Sequence, residues 1–284
     1  MILITGANGQ LGREFQKVLT KRGIAFKALT REELDISNFK KVKETVKGLK
    51  PDFVINCAAY NFVDRAEEDW EKAFLVNGIG VKNLALASNE VNATLVHFST
   101  DYVFDGEKGK PYTIADFPNP INRYGKSKLL GENFVRELSE RYYLIRVSWL
   151  FGEGKNSFIT KLLSWAKDKD VLRIVDDQIS SPTYTEDLVR AVLDLLNTEN
   201  YGLYHITNEG YCSRYEWAKF ILEALNWRGK LIPAKSEEFK TPAKRPAFSK
   251  LDTFPLREVI GYQLPHWEGA TERFLTHTTH FDGW

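Results

Sequence analysis

An apolar run, Ile2-Leu3-Ile4-Thr5, delivers the chain straight into Gly6-Ala7-Asn8-Gly9-Gln10-Leu11-Gly12, and an amphipathic stretch follows at once. Glycines here allow a tight turn and close backbone approach, and the helix start behind them offers free N–H groups to an anion. Spaced glycines also occur in ordinary turns, so the surroundings decide the reading. Short apolar runs at Ile2 to Ile4, Ala25 to Leu29, Phe53 to Ile55, Leu95 to Phe98 and Leu144 to Val147 alternate with helical spacing over Gln10 to Lys21, Phe39 to Lys47, Trp70 to Ser88 and Ser127 to Leu138. Such alternation predicts an α/β fold, a doubly wound parallel sheet of Rossmann type whose crevice opens at the carboxyl ends of the strands. In that setting Gly6, Asn8, Gly9, Gln10, Leu11 and Gly12 are expected against the pyrophosphate of a dinucleotide.

Residues 1–150 thus read as a dinucleotide-binding domain, with a returning segment near 176–198, and 151–284 read mainly as a partly interleaved substrate-binding lobe. In the latter, helices are expected near Ser157 to Ala166, Glu186 to Leu196 and Arg214 to Leu225, with strands near Leu172 to Val175 and Leu203 to Ile206. Pro233, Pro242, Pro246, Pro255 and Pro265 suggest loops wrapping a site.

The second strand should end near Leu29, where an acidic residue would pair with the adenosine ribose, yet Thr30 and Arg31 follow. A basic residue there suits a 2′-phosphate, which favours NADPH with NADH as the alternative; a plain solvated charge is the competing reading of Arg31. Asp35 and Ile36 either border the adenine or, for Asp35, cap the next helix.

Tyr124 and Lys128 stand four residues apart, so a helix would bring phenol and ammonium onto one face. Moving a tyrosine from about 10 to about 7 takes about 4 kcal/mol, which one charge at ~4 Å supplies at an effective dielectric of ~20. The phenol would then protonate a carbonyl oxygen while a nicotinamide reduces the carbon. Thr100, in Ser99-Thr100-Asp101-Tyr102, ends the fourth strand facing the same crevice and is the third polar partner expected at that oxygen.

Composition excludes several other classes. Lys+Arg 39 against Asp+Glu 38 leaves no field for nucleic acid, and no run of about 18 apolar residues spans a membrane. Two distant cysteines, Cys57 and Cys212, make no disulfide framework, and no signal peptide is legible, so the expected setting is a reducing cytoplasm. The His277/His280 pair reads as a surface tail, not as a metal site.

With these motifs in order, the chain resembles the dTDP-4-dehydrorhamnose reductase family of extended short-chain dehydrogenase/reductases. The likeness rests on GANGQLG at 6 to 12, LDI at 34 to 36, VINCAAYNFVDRAEED at 54 to 69, VN at 76 to 77, STDYVFDG at 99 to 106, YGKSKLLGE at 124 to 132, RVSWLFG at 146 to 152, DQISSPTY at 177 to 184 and RPAFSKLD at 245 to 252. It implies catalysis by Thr100, Tyr124 and Lys128, with the last two also touching cofactor. It implies a sugar pocket at Asp101, Tyr102 and Trp149, and a cofactor border at Asn56, Ala58, Ala59 and Tyr60. Asn77 is implied as a buried support beside the cofactor, and Arg245 as a contact to the substrate diphosphate, with a structural salt bridge as the alternative. The implied reaction is reduction of the C4 ketone of a dTDP-linked 6-deoxyhexose; reduction or epimerisation of another nucleotide-linked keto sugar stays open. So does a non-catalytic NADP-binding subunit like that of methionine adenosyltransferase. A homodimer is a further open expectation. Some relatives hold Mg²⁺ at a dimer interface through three glutamates; Glu14 and Glu186 match two, but His277 stands at the third, which speaks against the metal.

Overall fold

The structure, a computed structural model, describes residues 1–154 and 157–277. In chain order its first part runs β1 (Ile2–Thr5), α1 (Gln10–Lys21), β2 (Phe26–Leu29), α2 (Phe39–Leu49), β3 (Phe53–Asn56), α3 (Trp70–Phe74), α4 (Gly80–Glu90), β4 (Thr94–Thr100), α5 (Arg123–Leu138) and β5 (Tyr142–Val147). There follow β6 (Leu150–Phe151), α6 (Phe158–Asp168), β7 (Val171–Val175), β8 (Ile179–Ser180), β9 (Thr183–Tyr184), α7 (Thr185–Leu196) and β10 (Gly202–His205). The chain closes with β11 (Cys212–Ser213), α8 (Arg214–Ala224), β12 (Lys230–Ala234), α9 (Leu256–Ile260) and α10 (Trp267–His277).

Six strands form one parallel sheet in the order β10-β5-β4-β3-β1-β2. Its inner strands are buried almost throughout and mostly apolar because helices cover both faces: α1 and α7 pack on one, α2, α4 and α5 on the other. After β2 the chain crosses β1 to lay down β3, so β1 and β3 diverge at their carboxyl ends and leave a crevice there. The return to this sheet covers α7 and also β10, which runs on to His205, past the 198 where the sequence suggests the second lobe resumes.

The second lobe is built on Phe151, Ile159, Leu162, Trp217 and Phe274, with small strand pairs β6-β9, β8-β11 and β7-β12. The proline-punctuated end is not loop alone: α9 lies between Pro255 and Pro265, and α10, just past Pro265, contributes Trp267 and Phe274 to this core.

Two helices differ from their expected form, and both differences serve the crevice. The stretch 70 to 88 is one helical path interrupted by a π-helical turn at Leu75–Ile79. A π turn inserts a residue, and here it swings Asn77 into the interior. α5 begins at Arg123, earlier than the apolar periodicity indicates, because Asn122 caps it by accepting from the Gly125 backbone at 2.7 Å. Tyr124 therefore lies in the first turn.

α5 is pinned to the sheet by a buried ion pair. Arg146 of β5 donates from Nε and Nη2 to the two oxygens of Glu132 at 2.9 and 2.6 Å, and neither side chain is exposed. His205 of β10 faces the same guanidinium at 3.3 Å; burial and the Arg146 charge push it down to about 3, so it stays neutral. Replacing Arg146 with Met leaves buried Glu132 only the exposed Arg136 at 3.7 Å, and the expected loss is about 3–5 kcal/mol in urea unfolding. A loss under about 1 kcal/mol would show that the pair is dispensable.

Candidate active site

The crevice opens where β1 and β3 end. Gly6 has a φ of +67°, and a Cβ on it would lie 2.6 Å from the Ala58 backbone nitrogen; one on Gly12 would lie 2.5 Å from the Gly6 carbonyl. Only bare backbone fits at either point. The result is a cleft of about 340 Å³ lined by Gly6, Asn8, Gly9, Arg31, Asp35, Ile36, Ala58, Ala59 and Tyr60, with the start of α1 at its floor. That side-chain-free cradle at a helix N-terminus fits a dinucleotide pyrophosphate.

Not every glycine-loop residue faces it. Gln10 turns away and donates to the Gly152 carbonyl at 2.9 Å, and Leu11 packs into the core. Asn77 does not line the cleft either: its amide oxygen accepts from the Tyr60 backbone at 2.8 Å, and its nitrogen donates to Tyr60 O and Ser127 Oγ at 3.0 and 2.9 Å. With every polar atom engaged it braces the Tyr60 turn against α5. Asp35 is no helix cap; Asn38 caps α2, and Asp35 accepts from Ser37 N and Oγ at 2.9 and 2.7 Å beside Arg31. Glu33 folds back on the Thr30 backbone at 2.8 Å, while Arg31, well exposed, lines the cleft together with the acids Glu32 and Asp35.

Thr100, Tyr124 and Lys128 come together at the end of β4. Gly125 makes this possible, since a Cβ there would lie 2.1 Å from the Tyr102 carbonyl; α5 rests directly on the turn that follows Thr100. The Tyr124 phenol lies near the Thr100 hydroxyl, and its ring meets the Tyr102 ring edge-on at 6.0 Å.

The expected phenol–ammonium pairing is not what the structure contains. Lys128 donates to the Phe98 carbonyl at 2.5 Å, and among the described residues no hydrogen bond joins it to the Tyr124 phenol. Buried ammonium needs an acceptor, and the β4 carbonyl edge is the one beside it. Burial pushes Tyr124 above its ordinary range, with Thr100 opposing, whereas burial pushes Lys128 down to about 8, with Glu132 opposing. The tyrosine is thus a neutral phenol at neutral pH and not a poised phenolate.

Across from it, Asp101 is buried with three hydroxyls upon it: Thr100 Oγ1 at 3.0 Å, Ser249 Oγ at 2.6 Å and Ser180 Oγ at 3.4 Å. It therefore does not present a free carboxylate to a sugar. Trp149 packs half-buried against the second-lobe core, held at a φ of +43° that costs an L-residue about 1–3 kcal/mol. Arg214 lies flat on its ring at 3.5 Å, flanked by Phe158 and Trp217. Among the described residues no carboxylate pairs with Arg214; burial lowers it only to about 10, so it stays cationic. Arg245 forms the salt bridge, with Asp64 at 2.6 Å, and also holds Thr241 and the Ala243 carbonyl. Sequence reasoning missed Arg214. Its signal was a cation in the first turn of a helix, where the dipole disfavours it unless an anion is to be met.

The whole-chain comparisons agree with this geometry. Residues 1–280 match the family model described as RmlD substrate binding domain. The chain belongs to that family. It is 40% identical to the spore coat polysaccharide biosynthesis protein SpsK of Bacillus subtilis over 96% of both chains. Among solved structures, a dTDP-4-dehydrorhamnose reductase from Clostridium acetobutylicum superposes with a TM-score of 0.94 at 43% identity, covering 97% of this chain and 98% of that one. The Bacillus anthracis dTDP-4-dehydrorhamnose reductase, in complex with NADP, gives 0.95 at 41% identity, covering 98% and 99%.

Within this RmlD-family chain Glu14 is buried, its Oε1 accepting no hydrogen bond but lying 4.0 Å from Lys17 Nζ; burial raises its pKa, with Lys17 opposing and Glu186 and Glu153 adding to the rise. His277 ends α10 exposed, and His280 lies outside the described residues. Among the described residues no group of three His, Cys, Asp or Glu side chains is gathered to hold a metal ion.

A stability test follows from Lys128. Its folded pKa, about 8, lies below the ordinary 10.5, so its burial costs stability fully below pH 8 and progressively less up to pH 10.5. Lys128→Met is expected to stabilise the cofactor-free protein by about 2 kcal/mol at pH 7, and by nothing near pH 10.5. A pH-independent difference between the two melts would show that Lys128 is not desolvated.

Proposed function

We propose that this chain reduces the C4 ketone of dTDP-4-dehydro-L-rhamnose to dTDP-L-rhamnose, with NADPH as reductant and NADH as a weaker substitute. The reading is carried by the gathering of Thr100, Tyr124 and Lys128 at the end of β4, beside a backbone cradle built for a dinucleotide. A reduced nicotinamide, when bound, supplies the hydride. Tyr124 keeps its proton at neutral pH and hands it to the C4 oxygen as negative charge builds there. Thr100 lies at the same oxygen as a second hydroxyl. Lys128, with one proton on the Phe98 carbonyl, has two more to offer to the cofactor ribose. Arg214, unpaired and plated on Trp149, suits the substrate diphosphate better than Arg245, which is already engaged by Asp64. Arg31, a cation at the cleft rim beside Glu32 and Asp35, suits the 2′-phosphate of NADPH.

The product fits polysaccharide biosynthesis; the name of the B. subtilis relative places that protein in spore coat polysaccharide biosynthesis. Cys57 and Cys212 are free thiols, and no described helix is long and apolar enough to cross a membrane; we place the enzyme in the cytoplasm.

Oxidation of NADPH by purified protein on addition of dTDP-4-dehydro-L-rhamnose is the direct test. Turnover of a different keto sugar, with none of this one, overturns the substrate assignment. Tyr124→Phe is expected to lower kcat by about 10²–10⁴-fold with KM little changed, and full activity in that variant would refute the proton-donor role. Arg31→Ala should raise KM for NADPH about tenfold or more and leave KM for NADH nearly unaltered. Equal losses for both cofactors would remove Arg31 from the 2′-phosphate site.

A further inference from the structure

Thr100 has one proton, and in this structure it is spent on Asp101. The hydroxyl donates to Asp101 Oδ1 at 3.0 Å while its oxygen accepts from the Tyr102 backbone at 3.1 Å. In that arrangement it cannot also donate to a substrate ketone. The other carboxylate oxygen, Oδ2, is held by Ser249 at 2.6 Å and Ser180 at 3.4 Å, which leaves Oδ1 to Thr100. We propose that Asp101 is a positioning residue acting through Thr100: protonated, it donates to Thr100 Oγ1 and turns that hydroxyl onto the ketone; ionised, it withdraws the hydroxyl. With Asp101 neutral, the two lone pairs of Thr100 are filled by Asp101 and Tyr102 N, and its proton is free for the C4 oxygen beside Tyr124.

The surroundings suit such a switch. Asp101 is 2% exposed, and no cation lies within ion-pair distance of it among the described residues. The charged and titratable groups facing it are Arg214 from α8, Tyr102 from its own turn and Tyr124 from α5; β8 and the segment after β12 contribute only the hydroxyls of Ser180 and Ser249. Burial raises it to about 6, against the pull of Ser249, Thr100 and Arg214. A substrate diphosphate beside Arg214 offsets that cation and favours the neutral acid further.

The inference rests on the ketone-reductase reading, and the experiment separates the two. The pH profile of kcat/KM for dTDP-4-dehydro-L-rhamnose, at saturating NADPH, is measured for wild type, Asp101→Asn and Ser249→Ala between pH 5.5 and 8. Wild type is expected to fall about tenfold per pH unit above the Asp101 pKa. Asn, a permanent donor to Thr100, should match wild type within about threefold at pH 5.5 and stay flat, exceeding it by about tenfold or more at pH 8. Ser249→Ala removes a hydrogen bond that favours the ionised form, so its limb should move to higher pH. The proposal is overturned if Asp101→Asn retains the wild-type limb, or loses about a hundredfold at pH 5.5 while still folded and binding NADPH. If Asp101→Asn does not fold, Ser249→Ala decides: a limb unmoved or moved to lower pH overturns it. A wild type inactive on this sugar at every pH refutes the reductase reading, and the proposal with it.

Discussion

Everything the crevice does depends on where α5 sits, and α5 is located by the buried Arg146–Glu132 pair. A bidentate contact between a strand guanidinium and a helix carboxylate has little tolerance for sliding or rotation. One turn up the helix from Glu132 is Lys128, and one further turn up is Tyr124, so a shift of α5 along β5 would carry both away from Thr100. The pair costs desolvation that apolar residues would avoid. What it supplies in return is register, with His205 kept neutral so that no second cation disturbs it.

The site this creates is dry, and dryness acts in opposite directions on its two central groups. It holds the proton on Tyr124 and loosens the proton on Lys128. A phenol that keeps its proton suits the direction in which a ketone is consumed, because the developing alkoxide provides the basicity that draws the proton across.

Much of this was legible in the chain. α1 runs over the stretch its periodicity marks, Gln10 to Lys21, because an alternating apolar face behind a glycine loop has few other solutions. The gathering of Thr100 with Tyr124 followed from strand-end and helix-start positions. What could not be read were the partners of buried polar atoms. Lys128 was expected on Tyr124 from helical spacing, but spacing cannot see the Phe98 carbonyl on the neighbouring strand. Asp101 reads as a pocket carboxylate until Ser249, far away in sequence, is found upon it. Arg214 looked like the start of a helix because the ring it lies on belongs to a different lobe segment. Local pattern encodes elements well; pairings across long sequence separations need the fold first.

Trp149 illustrates a conflict between levels. Its backbone lies in a region where glycine would rest without strain, while its ring is the plate on which Arg214 lies. Stability and activity therefore pull this one position toward different residues. A library screened for heat resistance alone would drift to glycine here and lose the guanidinium's support, whereas one screened for turnover would keep the strained indole, so the preferred residue reports which pressure was applied.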